Sequence, residues 1–204
     1  LASYPFTGAH DTGIPQSELL KPIDFTPGND PTVAGTGQVI ANDVGVFINN
    51  SVSGGAITAY DISGAPVNIQ LRWAKTASTL YGAPADVWNL FYQSDSAATL
   101  LQPAWQNVGI DYTFAPNGQM NPAVSSVALP AVTIDGISLG AVTIQHGSTG
   151  LTQFADANGN VQVNTLQQNG FPAGVLQSVS VNDKGRVVGT FSHSRTIDLA
   201  QITL

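Results

Sequence analysis

Cysteine is absent from the 204 residues. That excludes disulfides, thiolate nucleophiles and cysteine-based zinc sites together, although it leaves the compartment open. Charge is scarce too, with only 9% of residues ionic, so the surface must be covered mainly by Ser, Thr, Asn, Gln and Gly, which is unusual for a cytosolic enzyme. The 6 bases face 13 acids, for a net charge of −7, and no two bases are adjacent. Without a basic patch to neutralise phosphates, nucleic acid is not expected as a partner. No segment approaches the ~20 continuous apolar residues of a membrane span, and Leu1 opens without a basic, apolar export signal, so no membrane partner is expected.

What is present points to strands. The chain carries 21 Gly and 12 Pro and lacks a long apolar stripe at helical spacing, which favours turns and strands over helices. Residues 1 to 33 hold five prolines (Pro5, Pro15, Pro22, Pro27 and Pro31) and read as an irregular, extended lead-in with at most a short helix at Ser17 to Leu20. From Gly37 onward QVIANDVGVFIN, AITAYDISGAPVNIQLRWAKT and DVWNLFYQSD read as strands. In PVNIQLRW, Val67, Ile69, Leu71 and Trp73 share one face while Asn68, Gln70 and Arg72 share the other. VWNLFY is almost continuously apolar.

Turn chemistry punctuates these runs. Tight turns are predicted at DISGAP, at Pro116 to Gly118, at Asp135-Gly136 and at Asp183 to Gly185, with a further one at Ser192 to Arg195 carrying His193 outward. No fixed-period repeat accompanies them. A cluster of Gly, Asn, Asp and Ser between Gly147 and Asn164 marks a boundary. The expected fold is all-β, in two domains of an elongated chain: residues 1–33 and 150–204 form an inner β domain, and residues 34–149 an outer β-barrel or sandwich inserted into it.

Candidate chemistry is thin. Asp156 and Asn158 open a stretch like the start of a calcium loop, where alternating side-chain oxygens wrap a hard cation. Val161 stands where such a loop needs Gly, and no Glu closes it, the only Glu being Glu18. An Asx-type turn without metal is expected there. Ser192, His193 and Asp198 have the residue types of an acyl-transfer triad, but they fall on the arms and tip of a predicted hairpin. Gly136-Ile137-Ser138-Leu139-Gly140 matches Gly-x-Ser-x-Gly, yet a nucleophile elbow needs a helix after the serine and AVTIQ reads as a strand. His10, His146 and His193 show no local ligand spacing. Trp73, Trp88 and Trp105, with Tyr60, Phe91 and Tyr92, form either a core or a sugar-stacking face; on alternating strands the core is favoured. No catalytic, cofactor or metal site is therefore assigned.

Several stretches resemble the bacterial flagellar hook protein family and, more loosely, its axial relatives in the rod. Leu1-Ala2-Ser3-Tyr4-Pro5 resembles a Leu-x-Gly-Tyr-Pro segment, with Ser3 in the Gly position. Ala59-Tyr60-Asp61-Ile62-Ser63-Gly64 is similar to a Val-Tyr-Asp-Ser-x-Gly hairpin of the outer domain, and Leu151-Thr152-Gln153-Phe154 to the return into the inner one. The most specific block is Gln168 to Leu204, similar to Gln-x-Gly-Tyr-x-x-Gly-x-Leu, then Asp-x-Gly-x-[Ile/Val]-x-Gly-x-[Tyr/Phe]-Ser, then Leu-Gly-Gln. Phe171 takes the Tyr position, Ser192-His193-Ser194 replaces a Ser-Asn-Gly turn, and Ala200 precedes Gln201.

The resemblance implies a non-enzymatic structural subunit of the curved tube that transmits torque from motor to filament as a universal joint. It implies partners that are copies of itself, with hook-associated and rod proteins at the tube's ends, an extracellular place in the hook-basal body reached through the flagellar export channel, and no cofactor. The family's terminal helical segments have no heptad-like counterparts here. A core fragment is expected, monomeric by itself, with the first half of the inner domain largely missing before Leu1. A rod or hook-like axial paralogue is the alternative within this class, and a carbohydrate-binding or adhesive β module the alternative outside it.

Overall fold

The computed structural model describes residues 37–77, 79, 84–147, 150–153 and 162–202. These build three antiparallel sheets. The short helix expected at Ser17 to Leu20 and the Asp156–Asn160 loop lie outside the described residues.

The largest sheet has six strands. Strand β1 (Gln38–Ile40) pairs β5 (Pro103–Asn107), followed in order by β4 (Val87–Gln93), β3 (Pro66–Ala77) and β2 (Val52–Tyr60), while β6 (Tyr112–Thr113) also pairs β4. The second sheet is the hairpin of β7 (Ser126–Ile134) and β8 (Ile137–Gln145). The third holds β9 (Leu176–Val181), β10 (Arg186–Phe191) and β11 (Thr196–Gln201), with β10 in the middle. An all-β fold is what the alternating runs and their turns require.

The larger sheet has a core on each face. On one, Val52, Val67, Ile69, Trp88, Leu90, Tyr92 and Tyr112 pack with Val127, Val132 and Ile134 of the β7–β8 hairpin. On the other, Phe91, Ala74, Ala104 and Trp105 pack with Val39 and Phe47. This explains the unbroken apolar run of β4: Trp88, Leu90 and Tyr92 fill the first core while Phe91, between them, fills the second. Fully burying a side chain such as Phe91 contributes roughly 2 kcal/mol.

The second core contains a correction. QVIANDVGVFIN, expected as strand throughout, extends only through Gln38–Ile40; a 3-10 turn at Ala41–Asp43 and a short helix, α1 (Val44–Asn49), follow. The alternation of Val44, Val46 and Ile48 imitates a strand, but Phe47 is the buried residue and Ile48 faces solvent. What decides is the site available to the Phe47 ring, whose centroid lies 4.9 Å from Phe91 and 5.3 Å from Trp105. Ser51 Oγ donates to the Phe47 carbonyl at 2.6 Å and Asn50 Nδ2 to the Val46 carbonyl at 2.7 Å, satisfying the helix end.

Every expected turn forms where the described residues cover it. Asp61 Oδ1 accepts from the backbone of Ser63 and Ala65 and from the Ser63 hydroxyl, closing β2 onto β3. Asp135 and Gly136 both adopt positive φ, 49° and 80°, the geometry of a two-residue hairpin loop joining β7 to β8. Asn182 Oδ1 accepts from the backbone N–H groups of Lys184 and Arg186, turning β9 into β10. At the start of the expected boundary region, Leu151 packs against the first core and the Gln153 N–H donates to the Gly118 carbonyl.

Candidate functional site

The residues that could have carried chemistry are dispersed into structural work. Ser192 Oγ accepts the Val175 N–H at 3.0 Å, His193 Nδ1 accepts the Arg195 N–H at 3.3 Å, and Asp198 pairs with Arg186 at 2.5 Å. No triad geometry results. Ser138 lies on strand β8 with its hydroxyl accepting the Gly140 N–H, so the Gly-x-Ser-x-Gly letters are a strand following a hairpin loop rather than an elbow. His193 departs from the outward position expected of it. Its ring stacks on Phe191 and tilts against Phe171, both centroids 5.8 Å away. An imidazole beside two phenyl rings gains more from their faces than from the turn's solvent side.

His10 lies outside the described residues, and His146 sits far along the chain from His193, at the end of β8, with Nε2 2.9 Å from the Tyr112 hydroxyl. Burial lowers the His146 pKa and raises that of Tyr112, so both are neutral near pH 7. Among the described residues no group of three His, Asp or Glu side chains is placed to hold a metal ion.

The aromatic residues resolve as core. Trp88, Trp105, Phe91 and Tyr92 are buried, and Trp73 is partly buried with its ring edge-on to Tyr112 at 5.0 Å. They present no row of exposed rings for stacking sugars. Arg72 stands on the face opposite Trp73, as the alternation requires, but α1 covers that face here: its guanidinium donates to Ser51 Oγ, the Ser51 carbonyl and the Ile48 carbonyl. A cation at a helix's carboxyl end meets the negative end of its dipole. Lys75, almost fully buried, pairs with Asp86 at 2.9 Å and lies 5.3 Å from the Trp88 ring centre. Burial pushes the Asp86 pKa up, but the hydrogen bonds from Thr79 and Lys75 outweigh it and hold the carboxyl below its ordinary value.

What remains exposed is surface suited to contact rather than to reaction. In the third sheet, directly opposed residues share a face, which puts Val179, Gly189 and Ile197 together and Val181 beside Val187. Leu176 and Leu199 lean over Gly189, where a β-carbon would collide with both. The opposite face carries Ser178, Ser180, Thr190 and the Arg186–Asp198 pair, with Val188 its one apolar residue in β10. One side of this sheet is therefore apolar, and Leu176, Val179, Val181, Ile197 and Leu199 on it are 42 to 57% exposed. Alternation in the sequence located these residues, but only the sheet's pairing shows that they form one face.

The family model of the flagellar basal body protein FlaE D2 domain matches residues 49–171. The chain belongs to this flagellar hook family. The match runs from the end of α1 through β2–β6 and the β7–β8 hairpin to Phe171, and β1 and β9–β11 lie outside it. No curated protein matches the chain. A hook-type domain is a structural part of the flagellum and not an enzyme family, in keeping with the dispersal of Ser192, His193 and Asp198. Hook-family chains polymerise, and a tube of identical subunits needs one patch of each to meet a different patch of the next.

Proposed function

We propose that this chain is a subunit of the bacterial flagellar hook, polymerising into the curved, extracellular tube that transmits torque from motor to filament as a universal joint. The observation that carries this reading is the hook-family match across the double-cored sheet. Its partners are copies of itself along the tube, with hook-associated and rod proteins at the two ends. A tube that bends at every revolution requires lateral contacts that slide and re-form. A surface with so few charges suits that requirement, because fixed ion pairs resist sliding and respond to salt.

The chain divides, in this reading, into an outer β domain of residues 34–149 inserted into an inner β domain of residues 1–33 and 150–204. The separate hydrogen bonding of β9–β11 supports the division, as does the exposed apolar face of that sheet. A second reading is a rod subunit, because the matching family carries a basal-body name.

Complementation separates them. A hookless strain of the source bacterium, supplied with the complete gene that contains this region, is expected to regain hooks and motility. Export of the subunit without hook formation would transfer the assignment to the rod.

A further inference from the structure

Residues 162–175 pass as an extended strap from the larger sheet to β9, and their contacts with the two sides are unequal. Toward β2 and β3, Val163 and Leu166 lie beside Gly55, Gly170 packs against the Tyr60 ring, and the Ala173 N–H donates to the Gly64 carbonyl at 3.0 Å. Gly64 is required there: its φ is +80°, and a β-carbon would overlap the Ala173 backbone. Toward β10 and β11 the strap is tied several times. The Val175 N–H donates to Ser192 Oγ at 3.0 Å, and the Ser192 N–H donates to the Val175 carbonyl at 2.8 Å. The His193 ring sits where a β-carbon on Gly174 would stand and touches Phe171, over which the Arg195 guanidinium lies at 4.8 Å.

We infer that Gly170–Val175 is an articulation clasp that travels with the three-stranded sheet and detaches from the β2–β3 hairpin at the Gly64–Ala173 hydrogen bond. The physical reason is the asymmetry of attachment. On the β10–β11 side, two reciprocal hydrogen bonds, a tilted ring contact and a cation over a ring must break together, whereas on the hairpin side, among the described residues, Gly170–Val175 is held by a single backbone hydrogen bond and the contact of Gly170 with Tyr60. A joint opens at its weakest line. Gly64 and Gly170 allow the close approach that shuts the clasp on the hairpin without adding a side chain to hold it, while Gly174 makes room for the His193 ring on the sheet side. The clasp stands on these contacts whether the chain serves a hook or a rod.

The absence of native cysteine makes the test direct, since spin labels attach only where cysteine is introduced. One labelled pair is Ile62→Cys with Lys184→Cys, spanning the hairpin tip and the β9–β10 turn; the other is Val175→Cys with Lys184→Cys, within the clasp and its sheet. Gly64→Ala should broaden the distance distribution of the first pair and leave the second unchanged. Ala173→Pro removes the same donor without altering the hairpin and should do likewise, which guards against a Gly64→Ala chain that folds poorly. In the unsubstituted chain the Ala173 amide should exchange about fivefold faster than those of Val175 and Ser192, as expected for one hydrogen bond opening alone. Broadening of the Val175–Lys184 pair would place the break on the sheet side and overturn the inference. Unchanged distributions for both pairs in both variants would overturn it equally.

Discussion

At the residue scale the ionisable groups act as supports. His146 is held neutral against Tyr112 by burial, so its pKa is lower in the folded chain than the ordinary 6.5. The unfolded chain then binds the proton more readily. Stability from this site is complete above pH 6.5 and is lost as pH falls from there toward the lower folded pKa. Urea unfolding measured at intervals between about pH 7.5 and pH 5 should show a falling free energy in the native chain and a flatter profile in His146→Gln, where position 146 no longer titrates. Equal slopes in the two chains would mean that His146 is solvated. Asp86 adds its own loss only in stronger acid, below its ordinary 3.8.

Residue types alone could suggest a triad from Ser192, His193 and Asp198, or a nucleophile elbow at Ser138. What removed those suggestions was the partner each side chain took. Asp198 went to Arg186 across two strands, and His193 went to Phe171 and Phe191. The Asp61 turn, by contrast, was fully legible, because its hydrogen bonds close within four residues.

At the scale of elements, the strands and hairpins follow from period-two alternation and turn residues, and the one misread element is instructive. Helix α1 is short, contains Gly45, and is apolar at alternate positions, so local preference argues against it. It exists because Phe47 fills the second core and because Arg72 and Ser51 satisfy its final carbonyls. Gly45 has nothing within 4 Å of where a β-carbon would stand and has no positive φ. Gly45→Ala should therefore raise stability by about 0.5–1 kcal/mol, read as a higher denaturation midpoint with an unchanged slope. A lower midpoint would show that α1 does not keep its helical form in solution.

At the scale of the whole molecule, the two sheet systems differ in protection. Strand β4 has a core on both faces and paired strands on both edges, whereas β9 and β11 are exposed along their lengths. Amide exchange should rank accordingly, slowest in β4 and fastest in β9 and β11, with hydrogen-exchange mass spectrometry or NMR as the measurement. Protection of β9–β11 equal to that of β4 would mean that its apolar face is covered in solution.

The sequence by itself determined the all-β class, the positions of the turns, the inward face of β3 and the lack of a local metal or catalytic motif, because each depends on residues only a few positions apart. It also carried the hook resemblance, through the hairpin at Asp61 and the block from Gln168 onward. Only the tertiary structure decided that α1 interrupts the strands, that the tryptophans are core, that His193 turns inward, and that the strap is tied more firmly to one sheet than to the other. Those outcomes depend on contacts between segments far apart in the chain, such as Phe47 with Phe91 and Trp105, or Gly64 with Ala173. Local propensity and spacing carry no record of such contacts.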